Sequence, residues 1–222
     1  MNPQLVKYLS VIGTATWQTF VMVIFSTIFS LILGMPLGIL LCTSDPANGL
    51  RPRKVLNQVL SVIINILRAI PFVILVILLF PFTRIIVHTA IGTKASIVPL
   101  TIAAAPFVAR VIESSLKEVE SGVIQAARSM GSTNKQIIFK VLLPEALPSI
   151  VNGITLTIIN LIGYSAMAGT VGGGGLGDVA IRYGYQRYRI EYMLGSVAII
   201  LILVEVIQLL GTHISNKMQA KR

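Results

Sequence analysis

From Tyr8 to Ser44 the chain runs for 37 residues without an Asp, Glu, Lys or Arg. Roughly 20 apolar residues, each rising about 1.5 Å along a helix, cross a hydrocarbon core about 30 Å thick. The rest of the chain has little polar surface with which to coat such a run, since 55% of its 222 residues are hydrophobic and 12% charged. A soluble fold is excluded, and the sequence reads as an all-α polytopic membrane protein. The start carries a single basic residue, Lys7, before an apolar stretch far longer than the core of a signal peptide, so the first span is expected to stay in the protein.

Apolar length and breakers define five spans, Thr19 to Cys42, Asn57 to Phe80, Ala95 to Val111, Ala146 to Met167 and Tyr192 to His213. Turn signals at Asp45-Pro46 and Asn48-Gly49 separate the first two. Pro81, Thr83, Arg84 and His88 separate the second and third, and Val111 to Leu116 prolongs the third helix beyond the membrane. The expected organisation is an external segment 1–18, a membrane domain 19–213 with one long loop at about 113–148, and a tail 214–222.

The net charge of +10 is scattered among the apolar runs, so it reads as an orientation signal rather than a nucleic-acid surface. Arg51, Arg53, Lys54, Arg110, Lys117, Arg128, Lys135, Lys140, Lys217, Lys221 and Arg222 fall on one side. Lys7, Arg84, Lys94, Arg182, Arg187 and Arg189 fall on the other. The richer side is cytoplasmic by the positive-inside rule, which puts the N-terminus outside and the C-terminus inside. The single cysteine, Cys42, excludes an intramolecular disulfide and a cysteine-based metal cluster.

The loop from Glu113 to Pro148 is too polar to cross a membrane and too regular for a linker. Val123 to Met130 has the pattern of a short amphipathic helix, with Gly131 as its left-handed terminator. Thr133 and Gln136 form a capping-box pattern opening a second helix through Lys140 and Val141. Pro144 and Pro148 are expected to redirect the chain before the fourth span. The residues alone leave two readings open, a knob that docks on another subunit and a hairpin lying on anionic lipid through Arg128, Lys135 and Lys140.

One spacing separates these readings. Gln125-Ala126-Ala127, three residues, Gly131, nine residues, Val141, one residue, Leu143-Pro144 resembles the EAA loop of bacterial ABC importer permeases (EAA, x3, G, x9, I, x, L, P). Gln125 for Glu, which loses a charge, and Val141 for Ile are the departures. The resemblance narrows to methionine importer permeases through the phrases Asn65 to Phe72, Pro81 to Arg84, Ala105 to Arg110, Val141 to Pro148, Gly163 to Gly169 and Gly172 to Gly177. It implies a type I ABC importer permease fold in the bacterial cytoplasmic (inner) membrane. It further implies a homodimer with two copies of a cytoplasmic ABC ATPase and an external substrate-binding protein. In that family the loop, here Gln125, Ala126, Ala127, Arg128, Gly131, Val141, Leu143 and Pro144, is the coupling element seated in a cleft of the ATPase. ATP and Mg then belong to the ATPase, and this chain binds no cofactor or metal and is not an enzyme. The substrate implied is L-methionine, with D-methionine as an extension. Another small amino acid, another hydrophobic solute, or an ATP-independent secondary transporter are the alternatives.

Within the spans, Arg68 sits near mid-membrane three residues before Pro71, where a charge is costly. It serves either a function or the carbonyls that Pro71 leaves free. Glu205 falls at a comparable depth in the fifth span, which makes an ion pair with Arg68 a hypothesis. Tyr164, Ser165 and Met167 lie just before a glycine-rich segment and suit either a gate on the pathway or adaptable packing. Asn160 joins them as an uncharged polar candidate. Gly172 to Gly177 matches G-x-G-x-x-G, but no strand precedes it and no Lys-Ser/Thr follows, so it reads as a flexible re-entry before a short external helix. Arg182, Tyr183, Tyr185, Arg187, Tyr188 and Arg189 form an aromatic and basic patch, either a headgroup belt or a docking surface for the binding protein. Gly163-Tyr164-Ser165 with His213 approaches a membrane serine protease pattern, but the two residues belong near opposite ends of their spans.

Overall fold

The computed structural model describes residues 3–220, and every regular element within them is helical. Helix α1 (Pro3–Thr43) is followed by α2 (Lys54–Ala69), α3 (Phe72–Leu78), α4 (Phe80–Val87) and α5 (Thr93–Lys117). Then come α6 (Ser121–Ser129), α7 (Asn134–Ile137), α8 (Leu143–Gly169), α9 (Gly175–Val179) and α10 (Ile190–Gln219). Two π-helical turns, Ile138–Leu142 and Ala180–Tyr185, lead out of α7 and α9. α1, α5, α10 and the continuous stretch Asn134–Gly169 are long and apolar enough to cross a membrane, and α2 with α3 together have the length and apolarity of a fifth, as a broken span or a re-entrant loop.

That break corrects the second span, expected to run unbroken from Asn57 to Phe80. The chain turns by 99° between α2 and α3. Pro71 disfavours helical geometry at Ile70, and it sits at ψ 132 as the N-cap of α3, where its carbonyl accepts from Ile74 and Leu75. The loop after it is also more regular than expected. It forms α4 and ends at His88, a non-glycine residue in the left-handed region at φ 62.

Pro144 and Pro148 do not redirect the chain, because both lie within helical backbone leading from α7 into α8. The π-helical turn just before Leu143 widens the coil at the Lys140 carbonyl, four residues before Pro144, whereas Pro148 is carried within α8 without one, as Pro36 is within α1.

The chain divides into two compact units. The first holds the chain to Ser30, Ile70–Ala104 and Ile158–Gln208. Its core is Met22 and Val23 of α1, Phe72 and Val76 of α3, Leu100 and Ala104 of α5, and Leu161, Ile162 and Ala168 of α8. Ile12, Ala15, Leu176, Val179 and Tyr192 form a second cluster in it. The second unit holds Leu31–Ala69, Ala105–Thr157 and the chain from Leu209. In it Val108, Ile112 and Leu116 of α5 pack with Ala127, Ile137, Leu142, Ala146 and Ile150.

Glycine sets the distance between α1 and α5 in this second unit. A Cβ at Gly34 would lie 2.6 Å from the Ala105 carbonyl oxygen, and one at Gly38 2.5 Å from that of Ala109. Gly34 and Gly38 face Ala105 and Ala109 with the same four-residue spacing, so two small-xxx-small stripes let the backbones approach where lipid gives no hydrophobic drive to associate.

Candidate functional site

The segment with the EAA-like spacing is built around α6. Ile124 and Ala127, three apart, turn inward, and Ala127 is buried among Ile112, Leu116 and Leu142. Gln125, Ala126 and Arg128 are exposed, Ala126 and Gln125 on the side away from Ile124 and Ala127, and Arg128 at the flank one turn after Ile124. Ala126 and Ala127 therefore play different parts, one open to a partner and the other filling a slot beneath the helix. The α6 terminus is a Schellman closure, with Ser132 N–H donating to the Ala127 carbonyl at 3.1 Å and Gly131 N–H to that of Arg128 at 2.9 Å. Gly131 sits at φ +77 with open space around it, so its role is backbone conformation rather than packing.

The expected capping box is present. Gln136 N–H donates to Thr133 Oγ1 at 3.4 Å, and Gln136 Oε1 accepts from Thr133 N–H at 2.8 Å. The chain then runs through Ile137 and Leu142, both buried. Val141 and Leu143 are half-buried against the same cluster, and Pro144 is exposed. The whole segment is thus anchored to α5 and α8 through side chains of one face.

Behind it lies an ion-pair chain that the charge count alone does not reveal. Arg110 Nη1 donates to Glu113 Oε2 at 2.7 Å, while its Nη2 reaches Asn65 Oδ1 at 3.0 Å and the Ser61 carbonyl at 3.3 Å. Lys117 Nζ meets Glu113 Oε1 at 2.9 Å and Asp45 Oδ2 at 2.6 Å. Glu113, buried, thus bridges two cations, and the chain ties α2 to α5 and α5 to the turn after α1. The hydrogen bond from Lys117 holds the Asp45 carboxyl below its ordinary range, helped by the Ala47 N–H. The legible signal was the spacing, Arg110 three residues before Glu113 and Lys117 four after it. A cavity of about 630 Å³ opens beside this chain, lined by Asp45, Lys117, Ser121, Gln125, Arg128 and Leu142 among others.

The pathway candidates separate by helix face. Asn160, Gly163 and Met167 are exposed along one stripe of α8 at spacings of three and four. Tyr164 and Ser165 point elsewhere. The Tyr164 ring stacks on Phe72 with centroids 4.7 Å apart, and the Ser165 hydroxyl, buried, donates to the Ile162 carbonyl of its own helix at 2.7 Å. Gly163, which the residue types did not single out, has nothing within 4 Å of a Cβ built on it. Arg68 is exposed in the second unit with its guanidinium 5.9 Å from the Phe107 ring centroid, and Glu205 belongs to the first.

The N–H groups of Gly172, Gly173, Gly175 and Leu176 in the glycine-rich segment are engaged within the chain, which leaves them unavailable to a phosphate. Gly175 N–H donates to Gln18 Oε1 and Leu176 N–H to Thr19 Oγ1, both at 2.9 Å. Gly172, Gly174 and Gly175 all have positive φ, and a Cβ at Gly173 would meet Ser96 Oγ at 2.5 Å. This is a tight re-entry fastened to α1. In the patch beyond it, Arg182 and Arg187 lie 5.3 and 4.8 Å from the Tyr183 ring centroid, and Tyr183 stacks on Tyr192. Tyr185 and Tyr188 project outward. Asp178 pairs with Arg182 at 2.6 Å, yet burial outweighs that cation and pushes its carboxyl up.

These features occur in a chain whose family match is to an inner-membrane transport subunit. Residues 34–220 match the family described as binding-protein-dependent transport system inner membrane component, and the chain belongs to that family. It is 54% identical to the "Probable D-methionine transport system permease protein MetI" of Vibrio cholerae over 89% of this chain and 88% of that one. The Escherichia coli D-methionine transport system permease protein MetI is 50% identical over 69% of this chain and 70% of its own. A solved structure of the MetNI methionine ABC transporter in inward-facing conformations superposes with a TM-score of 0.93 and 44% identity, covering 98% of this chain and 99% of that one.

Proposed function

We propose that this chain is the permease subunit of an ATP-driven methionine importer. It works as a homodimer with two cytoplasmic ABC ATPase subunits and receives substrate from an external binding protein. The observation that carries the reading is the α6 segment, which carries the EAA spacing, whose inner face packs against the membrane helices, and whose exposed side chains include Gln125, Ala126 and Arg128. An element gripped this way moves with α5 and α8. Closure of the ATPases around ATP then biases the spans toward an outward-open state, the work entering as differential affinity of two states for ATP. Relatives named for D-methionine transport support the substrate. A binding-protein-dependent family favours this reading over a stand-alone secondary transporter. The Lys and Arg count favours a cytoplasmic α6 and an external N-terminus. ATP and Mg reside on the partner.

Proteoliposomes holding this chain, its ATPase and its binding protein should take up labelled L-methionine in an ATP-dependent manner, and unlabelled D-methionine should compete. Uptake without ATP, or competition by other amino acids but not methionine, refutes the assignment. Cysteines at Ala126 or Arg128, both exposed, should cross-link to the ATPase, and one at the buried Ala127 should not.

A further inference from the structure

The turn joining α1 to α2 borders a second cavity, of about 480 Å³, whose other wall is the Thr133–Ile138 part of the coupling segment. Its walls include Leu40, Leu56 and Ile138, and Arg51, Arg53 and Lys135 bring three positive charges to it, while no carboxylate lines it. Asp45, the acid nearest in sequence, is engaged by Lys117 and by the N–H groups of Ala47 and Asn48. Among the described residues no carboxylate pairs with Arg51, Arg53 or Lys135.

The arginines stand on fixed backbone. Arg51 N–H donates to the Thr43 carbonyl at 2.9 Å and Arg53 N–H to that of Ser44 at 3.0 Å, and the Asn57 amide donates to the Leu41 carbonyl at 2.8 Å. Gly49 makes the turn compact, since a Cβ there would lie 2.5 Å from the carbonyl oxygens of Thr43 and Asp45. The cavity sits where the 37-residue charge-free run ends, at Ser44, the depth at which a membrane helix meets headgroups. Below it, Leu33 and Leu40, two turns apart, are exposed along α1.

A phosphate-sized demand for negative charge above an apolar wall is the chemistry of an anionic phospholipid, and basic pockets between helices at a membrane surface bind such headgroups. The geometry points to a binding site for one anionic phospholipid per chain. Its phosphodiester is held by Arg51, Arg53 and Lys135, and an acyl chain lies along Leu40 and Leu33. An acidic surface of a partner protein is the rival occupant. The apolar wall and the placement at the end of a span favour lipid.

The test is native mass spectrometry of the assembled transporter in neutral detergent, titrated with dioleoyl-phosphatidylglycerol or dioleoyl-phosphatidylcholine. One phosphatidylglycerol should be retained per copy of this chain, and phosphatidylcholine should not. Each basic residue near a headgroup contributes about a fivefold factor, so R51Q with R53Q should weaken retention about 25-fold and K135Q alone about fivefold. K140Q, outside the cavity, should leave retention unchanged and serves as the folding control. Equal retention of both lipids, or retention unaffected by R51Q/R53Q and K135Q, overturns the site. Displacement by millimolar inorganic phosphate reassigns the cavity to a soluble phosphate. Loss of the ATPase subunit with lipid retention intact assigns the face to the partner protein.

Discussion

Alanine at Gly38 tests how closely α1 and α5 must pack. The added Cβ would lie 2.5 Å from the Ala109 carbonyl oxygen and 2.6 Å from the Ile112 Cβ, where ordinary contact begins at 3.4 Å. Both obstacles are fixed to the α5 backbone, so no rotamer change relieves them and the helices must part by about 0.9 Å. A gap of that size forfeits roughly a quarter to a half of the dispersion attraction between facing atoms. Overpacking of this kind costs about 1–3 kcal/mol. Alanine in place of glycine recovers about 1 kcal/mol of helix propensity. Gly13 and Gly163 provide the standard, because nothing lies within 4 Å of a Cβ at either and alanine there gains propensity alone. The difference between Gly38→Ala and those two variants is therefore about 1–3 kcal/mol. In a chain of 222 residues, roughly 2–4 °C per kcal/mol makes this a separation of about 2–12 °C. Thermal unfolding of the detergent-solubilised chain, followed by loss of the monodisperse peak in size-exclusion chromatography, reads it directly. If Gly38→Ala melts together with Gly13→Ala and Gly163→Ala, the close approach of α1 and α5 is not a determinant of stability and the packing argument fails.

Asp45 carries a pH signature. Its folded-state pKa lies below the unfolded one, so its charge favours the folded state at neutral pH, and that contribution is lost as the pH falls through the folded value. Asp45→Asn should lower the melting temperature at pH 7 and narrow its gap from the parent as the pH is lowered past the ordinary carboxylate range. A gap that widens in acid has the wrong sign. Thr133→Ala removes the hydroxyl that accepts from Gln136 N–H, leaving only the backbone half of the capping box, and should cost about 1 kcal/mol in the same melting assay; a Thr133→Ser variant should recover most of it. Met167→Ala, on the exposed stripe of α8, should raise ATP hydrolysis uncoupled from uptake, and unchanged coupling counts against a gate at that position.

The spans were legible because apolar length needs no partner to be read, and the α6 to α7 turn was legible because caps are local. Gly131 and the Thr133–Gln136 box sit where their residue types demand. Proline was the weaker guide, since its effect depends on the turn around it. Pro71 ends one helix and caps the next across a 99° bend, whereas Pro36, Pro144 and Pro148 are carried within helices, Pro144 alone after a π-helical turn. The inward turn of Ala127 and Ser165 was hidden for a different reason. Small residues fit either face of a helix, and only the neighbouring elements decide which. The Arg110–Glu113–Lys117 chain was half visible in its helical spacing, but its reach to Asp45 and Asn65 depends on two other segments arriving at the same place.

The π-helical turn at Ile138–Leu142 makes this stretch tolerant of a one-residue deletion but not of an insertion. Ile137 and Leu142, five residues apart, both point into the core. A tightly wound helix returns to the same face every three or four residues, so one residue removed here leaves a spacing of four that an ordinary turn serves, while one residue added would swing everything downstream by about 100°. The fourth span would then turn its exposed stripe away from its present side. The nine-residue gap between Gly131 and Val141 in the EAA pattern thus holds one residue more than a purely α-helical path to the same face needs.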